Sequence, residues 1–368
     1  STWTVLLNNF VVERAAFTGV EIGILQSLRE VPGFLAFTTV FVLLILKEQT
    51  FAVVALALLG IGVALTGCFP TAMGLYLTTV LMSIGFHYFD VLTQSLALQW
   101  YSKEDAPQAF GKLISVGAVT SLGVYAILWV LLAPLGIDYV WLFLLAGGIC
   151  CGLAIFMRRG FPDFAGEHKQ TQSLVLTRRY WLFYALQFFS GARRQIFMVF
   201  AAFLMVEKFG YSAAQVTTLF LINYVFNWLF AERIGSLIGR IGERKALTIE
   251  YVGLIVVFTA YAYVENAYLA AGLYVIDHMF FALAIAIKTY FQKIASPEDI
   301  ASTAGVSFTI NHIAAVVVPA ALGLVWVVSH SAVFLVGTAF AVCSLLLSQN
   351  IPSRPNEGNE VVWGYVSR

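Results

Sequence analysis

The stretch YWLFYALQFFSGARRQIFMVFAAFLMVEKF, residues 180–209, places two adjacent arginines in the middle of a long apolar run. About 20 apolar residues in a helix are enough to cross the hydrocarbon core of a bilayer. An ionisable side chain at that depth costs roughly 2.5–3.5 kcal/mol on insertion scales. Arg193 and Arg194 are therefore expected to face water or polar partners inside a bundle of helices.

The composition of the whole chain is that of a membrane protein. Of its 368 residues, 60% are hydrophobic and 11% are charged, and the mean hydropathy is +0.85. A soluble domain carries roughly 25% charged residues, so the solvent of most of this chain is lipid. The net charge of +1 argues against a nucleic-acid partner. The four cysteines lack the spacing of a zinc site and are interpreted as packing residues.

Apolar segments of spanning length follow one another along the chain. They lie at 17–46, 51–69, 72–100, 108–134, 138–157, 180–206, 213–234, 246–264, 267–290, 302–328 and 331–350. A partial first helix in STWTVLLNNFVV, residues 1–12, brings the count to twelve, and we expect a further piece of it before Ser1. Because lipid offers the backbone no hydrogen-bond partner, the segments predict an all-α membrane protein with twelve transmembrane helices.

The loop charges predict the orientation of the helices. Fourteen of the 21 lysines and arginines fall on one side of the predicted spans, which the positive-inside rule makes cytoplasmic. The predicted domains are an N-terminal six-helix bundle at 1–157, a cytoplasmic central loop at 158–179, a C-terminal six-helix bundle at 180–350 and a polar cytoplasmic tail at 351–368. We expect a multi-pass protein of the plasma (inner) membrane.

The two halves repeat each other in parallel. FTGVEI at 17–22 corresponds to YSAAQV at 211–216, and KEDAPQAFG at 103–111 corresponds to PEDIASTAG at 297–305, both with an offset of 194 residues. Both correspondences keep the membrane orientation, which indicates a parallel repeat.

Two parallel six-helix halves joined by a basic loop resemble the major facilitator superfamily of transporters. GSLIGRIGERK, residues 235–245, is similar to that family's loop signature G-x-L-x-D-R-x-G-R-R. The signature positions present are Gly235, Leu237, Arg240, Gly242 and Arg244. The chain departs from it at Gly239, where the family has Asp, and at Glu243, and the corresponding first-half loop has lost it. The resemblance implies a monomeric secondary transporter whose first, fourth, seventh and tenth helices line a central cavity.

Polar side chains follow one face of several predicted helices. Ser83, His87, Asp90 and Gln94 share a face of the fourth helix, and Asp277 and Lys288 of the tenth helix fall at the corresponding positions of the repeat. On the seventh helix Arg194 shares a face with Gln187 and is the predicted substrate contact. Arg193 points about 100° away, toward a neighbouring helix.

Three groups of residues are predicted to carry function. The substrate-binding candidates are Arg194, Arg193, Lys288, Arg29, Gln94, Asn223, Asn227 and Asn311. The proton-coupling candidates are Asp90, Asp277, His87 and Glu30. The loop residues predicted to act in conformational change are Gly235, Arg240, Gly242 and Arg244. Internal salt bridges, such as Arg29 or Arg193 with Glu30 or Asp90, are the alternative interpretation of the charges.

The predicted function is secondary transport of a small organic anion by alternating access with proton coupling. Arginine suits carboxylates and phosphates because its planar fork donates two parallel hydrogen bonds. The alternatives are efflux of amphipathic drugs, export of a metal ion through His87-x-x-Asp90 with His278 and His312, and a receptor or scaffold that retains the fold. The sequence has no Gly-rich phosphate loop and no HExxH motif, so neither enzymatic activity, a cofactor nor a resident metal is predicted.

Overall fold

The computed structural model describes residues 2–15, 17, 19–132, 135–161, 173, 176–211 and 213–363. The helices are α1 (Thr2–Ala15), α2 (Gly19–Phe34), α3 (Thr39–Val42), α4 (Glu48–Thr66), α5 (Ala72–Trp100), α6 (Ala106–Leu132), α7 (Tyr139–Gly160), α8 (Trp181–Gln195), α9 (Ala202–Glu207), α10 (Ala213–Ile241), α11 (Glu243–Tyr263), α12 (Ala267–Phe281), α13 (Ile285–Ile294), α14 (Ile300–Val328) and α15 (His330–Ser348). These residues form no β-strand, so the prediction of an all-α fold is confirmed.

Three of the predicted spans contain an interruption of their α-helix. A 3₁₀ turn at Leu35–Thr38 separates α2 from α3, a π-helix at Ile196–Ala201 separates α8 from α9, and a 3₁₀ turn at Ala282–Ala284 separates α12 from α13. When each interrupted pair is counted once, the fifteen helices of the described residues form twelve helical segments. Among the described residues nine of these are long and apolar enough to cross a bilayer by length and composition.

Several helix boundaries follow from local chemistry. The side chain of Asp138 accepts the Val140 amide at the start of α7, and that of Asn266 accepts two amides at the start of α12. Such caps satisfy amides that the first turn of a helix leaves without a partner. Gly242, between α10 and α11, has φ of 84°, a conformation that glycine adopts without strain. This requirement accounts for the second glycine of the loop signature.

The chain forms two compact units. Unit 1 contains Ser1–Trp100, Thr120–Val175 and Glu298–Thr309, and unit 2 contains Tyr101–Val119, Leu176–Pro297 and Ile310–Arg368. The units differ from the predicted bundles because the first part of α6 groups with the C-terminal helices and the first part of α14 with the N-terminal ones. In unit 2 the backbone of α6 at Gly111 lies directly against that of α10 at Ala231, which explains the grouping.

Aromatic side chains fill the core of each unit. In unit 1, Phe10 of α1 packs edge-on against Phe143 of α7, with ring centroids 5.2 Å apart. In unit 2, Phe183 of α8 stacks on Phe291 of α13 at 4.4 Å. Large apolar side chains such as Trp141 and Leu346 are exposed on the outside of these helices, as expected when lipid is the solvent.

The polar C-terminal tail folds against unit 2. Glu360 is fully buried and accepts a hydrogen bond of 2.5 Å from Arg179 Nε, and its backbone carbonyl accepts one of 2.7 Å from the Tyr290 hydroxyl. Arg179 also donates to Glu357 at 3.2 Å. The tail thus contacts both Arg179, in the 3₁₀ turn before α8, and Tyr290 of α13. Most of the predicted central loop at 158–179 lies outside the described residues, as does the tail beyond 363.

Candidate functional site

The arginine pair of the seventh span has two different environments. Arg193 is 0% exposed, whereas Arg194 is exposed on the same face as Met198. The two residues are adjacent near the end of α8, so the 100° rotation between neighbouring helical positions sends their side chains in different directions.

Arg193 lies in a closed polar cluster of unit 2. Its Nη2 donates to Glu250 Oε1 of α11 at 3.4 Å, and its Nη1 donates to the Ser344 hydroxyl of α15. The guanidinium also lies 4.5 Å from the centroid of the Tyr251 ring, within the range of a cation–π interaction. Glu250 is 0% exposed as well. The structure therefore places Arg193 in an internal ion pair with Glu250, and its predicted contact with substrate stays a prediction.

Arg194 has no such partner. Among the described residues it makes neither a hydrogen bond nor an ion pair, although the His278 ring lies within its electrostatic reach. The π-helix at Ile196–Ala201 begins two positions after it. Segments of π-helix are rare and occur frequently at functional sites. Arg194 thus carries a permanent charge near the middle of its span, two residues before the π-helix.

Asp277 of α12 is the second carboxyl near the Arg193 cluster. It is 0% exposed, and neither of its carboxyl oxygens has a hydrogen-bond partner within the described part of the chain. Arg193 and Glu250 both lie within its electrostatic reach, as do the hydroxyls of Tyr261 and Tyr274. The cluster therefore contains one guanidinium and two buried carboxyl groups.

The amide candidates line neighbouring helices of the same unit. Asn227 Nδ2 lies 2.9 Å from His278 Nε2, and the buried Asn223 has an Oδ1 without a partner in the described residues. Asn311 contacts the backbone of the seventh span, where its Nδ2 donates to the Gln187 carbonyl at 3.5 Å. Lys288 of α13 points toward the Phe110 ring, with its Nζ 5.4 Å from the centroid.

The candidates of unit 1 form a smaller group. Arg29 donates to the carboxylate of its neighbour Glu30 from Nε at 2.9 Å and from Nη2 at 2.6 Å. The buried His87 lies next to Ser83, with Nδ1 2.9 Å from the hydroxyl oxygen. Asp90 is exposed and Gln94 is partly buried, so the predicted polar face of α5 changes from buried to open along its length.

The structure shows the surroundings of both departures from the signature, Glu243 and Gly239. Glu243 is buried and forms an ion pair of 2.6 Å with Lys293 at the end of α13. A Cβ built at Gly239 would have its nearest neighbours, the Glu104 carbonyl oxygen and Pro107 Cγ, at 3.9 Å. Arg244 donates to the Gln349 side chain at 3.3 Å, whereas Arg240 is exposed. Gly235 lies against the backbone of Pro107, and a Cβ there would collide with the Pro107 carbonyl.

Sequence reasoning missed Glu250, Tyr251 and Ser344. Glu250 is an acidic residue inside the apolar segment 246–264, a position that marks an intramembrane partner. The position of Glu250 therefore predicts an intramembrane partner, but the sequence does not identify the cation that the carboxylate binds.

Comparison with known proteins identifies the fold. The sequence model of the Major Facilitator Superfamily matches residues 2–319. No curated protein matches the chain in sequence. Among solved structures, FucP of E. coli, a fucose:proton symporter, in its outward conformation is 11% identical, with 95% of each chain covered and a TM-score of 0.77.

Two further structures share the fold. A bacterial homologue of the iron transporter ferroportin, in an outward-facing state, is 15% identical, with 95% of this chain and 94% of that chain covered and a TM-score of 0.76. The human organic anion transporter MFSD10 (TETRAN) is 14% identical, with 95% and 89% covered and a TM-score of 0.70. Because the family model matches most of the sequence and the apolar helices fit a bilayer, the chain belongs to the Major Facilitator Superfamily of multi-pass membrane transporters.

Proposed function

We propose that this transporter moves a small organic anion across the membrane by alternating access, and that the movement is coupled to protons. The contrast between the two arginines is the observation that supports an anionic substrate. Arg193 has a carboxylate partner, whereas Arg194 has no ion pair among the described residues. An arginine stays charged at any physiological pH, so an unpaired one in mid-span favours an anion as its partner.

Arg194 would hold the anionic group of the substrate. The planar guanidinium donates two parallel hydrogen bonds to a carboxylate, sulfonate or phosphate. Lys288 and Arg29 are candidates for second contacts, and the amide side chains of Gln94, Asn223, Asn227 and Asn311 would orient the rest of the molecule. Apolar side chains near the π-helix, such as Met198, would contact an organic body.

The proton would be carried by the cluster of Arg193, Glu250 and Asp277. If both carboxyl groups were ionised, the cluster would keep one net negative charge in an apolar interior, which is costly. One proton shared by the two carboxyl groups removes that charge. Arg193 Nε and both carboxyl oxygens of Asp277 have no hydrogen-bond partner among the described residues, so the guanidinium keeps one donor for Asp277 when that proton leaves. His87, Glu30 and Asp90 remain candidates in unit 1.

The similar structures are compatible with this assignment without deciding it. FucP is described as a fucose:proton symporter and MFSD10 as an organic anion transporter, so the fold supports proton coupling and anionic substrates elsewhere. We further propose that the protein acts as a monomer in the plasma (inner) membrane, with the central loop and tail in the cytoplasm.

The first test is ligand binding by the purified protein. A thermal-shift screen would use a monocarboxylate, a dicarboxylate, a sulfonate, an organophosphate, amphipathic drugs and divalent metals, because ligand binding raises apparent stability. We expect the largest shift with an organic anion and its loss in Arg194→Gln. Arg354→Gln is the matched control, since Arg354 is exposed in the tail. A response confined to amphipathic drugs or metals, unchanged in Arg194→Gln, would overturn the anion assignment.

The second test is transport in proteoliposomes. Uptake of the anion found in the screen should increase with an imposed pH gradient, and Asp277→Asn should abolish this dependence while counterflow exchange continues. A rate that ignores the pH gradient in the unmodified protein would exclude proton coupling. Binding without uptake or counterflow would favour a receptor.

A further inference from the structure

Unit 2 contains a cavity beside the signature loop. Its volume is about 310 Å³, and it lies between the loop before α6, the last turns of α10 and the end of α13. This is the lower end of the size range of small-molecule sites. The side chains that matter for its chemistry are Lys103, Glu104, Ser236, Arg240 and Lys293.

Two of the three cations that line this cavity have no ion-pair partner among the described residues. Lys293 is paired with Glu243 at 2.6 Å. Lys103 donates instead to the backbone carbonyl of Lys293 at 3.2 Å, and it makes no ion pair with any described residue. Arg240 has neither a hydrogen bond nor an ion pair in the part of the chain that the structure describes. Glu104 is the one acidic side chain among the described lining residues.

Gly239 leaves this charged space unfilled. The nearest atoms to a Cβ built at this residue are the Glu104 carbonyl oxygen and Pro107 Cγ, each 3.9 Å away. The first atom of a side chain at residue 239 would therefore make only ordinary van der Waals contacts. Residue 239 is a glycine and carries no carboxylate, and Glu104 is the single acidic side chain that the described residues place around the cavity, so its positive side chains are available to an anion from outside.

We propose that this cavity binds a phosphate group, supplied either by the headgroup of an anionic phospholipid or by free phosphate. Arg240 and Lys103 would form charge-assisted hydrogen bonds to its oxygens, and the Ser236 hydroxyl would donate a further one. Basic side chains at helix ends lie at the depth of lipid headgroups, and anionic lipids attract such clusters. The site is separate from Arg194 and the Arg193 cluster, and it does not depend on the identity of the transported solute.

The lipid source is tested by native mass spectrometry of the purified protein. The protein is mixed with phosphatidylglycerol or with phosphatidylcholine, and the retained lipids are counted. The free source is tested by thermal shift with inorganic phosphate in a detergent solution without added lipid. Both measurements compare the unmodified protein with Arg240→Gln, Gly239→Asp and Gly239→Asn. Lys245→Gln, an exposed basic residue at the start of α11 that does not line the cavity, is the control.

We expect the affinity for the phosphate-bearing probe to fall about tenfold or more in Arg240→Gln, since a hydrogen bond to a charged group is lost. Gly239→Asp should have the same effect, because its carboxylate neutralises the cavity. Gly239→Asn, which has the same size without the charge, and Lys245→Gln should keep most of the affinity. Selective retention of phosphatidylglycerol would identify the lipid as the source, and a shift with inorganic phosphate alone would identify the free anion.

Two results would overturn the proposal. One is the absence of any response to phosphatidylglycerol or phosphate in the unmodified protein. The other is a response that Gly239→Asp and Arg240→Gln leave unchanged, since binding would then occur elsewhere. Gly239 is exposed and a Cβ there has its nearest neighbours at 3.9 Å, so Gly239→Asp and Gly239→Asn are both expected to fold.

Discussion

Replacing Glu250 with leucine should destabilise the protein more than an ordinary core substitution. The carboxylate and its partner Arg193 are both 0% exposed, and they meet at 3.4 Å. Removal of one member of a buried ion pair costs about 3–5 kcal/mol, because the remaining charge loses its hydrogen-bonded partner; Asp277, the other acid of the cluster, makes no hydrogen bond to the guanidinium in the described residues. The Ser344 hydroxyl and the Tyr251 ring remain beside the guanidinium, but neither carries a negative charge.

The structure also predicts how the loss of stability in Glu250→Leu changes when a second residue is substituted. Arg193→Met combined with Glu250→Leu removes both charges, so its stability should return to within about 1–2 kcal/mol of the unmodified protein. Asp277→Asn combined with Glu250→Leu should be worse than Glu250→Leu alone, because Asp277 is the remaining acid within electrostatic reach of Arg193. Glu250→Gln should lose less, since the amide oxygen still accepts a hydrogen bond.

The assay is equilibrium unfolding in mixed detergent, followed by tryptophan fluorescence, and analysed as a double-mutant cycle. An effect of Glu250→Leu below about 1 kcal/mol, together with additive effects of Arg193→Met and Glu250→Leu, would contradict the reasoning. It would mean that the two side chains are not coupled in the folded protein.

Two further predictions concern helix packing and the tail. Gly111→Ala places a methyl group against the backbone carbonyl of Ala231 and should lower the free energy of unfolding by about 1–3 kcal/mol. Gly123→Ala on the same helix has nothing within 4 Å of its Cβ, so it should be neutral or stabilising by roughly 0.5–1 kcal/mol. Thermal unfolding compares the two variants, and equal effects would argue against the close contact at Gly111. In the tail, the hydrogen bond from Ser296 lowers the pKa of Glu357 below its ordinary value of 4.5, with Arg179 adding to the effect. The stability that this interaction gives to the folded tail is present above pH 4.5 and is lost as pH falls through the lowered pKa. Deuterium uptake by residues 351–363, corrected for intrinsic exchange, should therefore rise in acid. Glu357→Gln should show the raised uptake already at neutral pH, and a pH response that survives in this variant would contradict the assignment.

The class of fold could be predicted from the sequence because the solvent acts on every residue. A chain that is 60% hydrophobic and divided into apolar segments of spanning length must form helices in lipid, whatever its packing. The offset of 194 residues between the halves and the signature loop then identified the family, which the match over residues 2–319 confirms. The interruptions at Leu35–Thr38, Ile196–Ala201 and Ala282–Ala284 were harder to predict, since only the first follows a proline.

The choice of partner for each intramembrane charge could not be derived in the same way. Helical geometry separates the directions of Arg193 and Arg194, but it does not tell which direction meets a carboxylate. The partner of Glu360 in the tail could not be derived either. The polar composition of the tail predicts a solvated segment, whereas Glu360 is fully buried and accepts a hydrogen bond from Arg179.

The sequence by itself therefore determined that the chain forms helices and how many, since hydrophobicity and helical period are local properties of each segment. Only the tertiary structure decided that Arg193 is neutralised by Glu250 while Arg194 is left without an ion pair in the described chain. The physical reason is that an ion pair needs two side chains within about 4 Å. The packing of α8 against α11 and α15, which brings together residues far apart in the chain, supplies that distance.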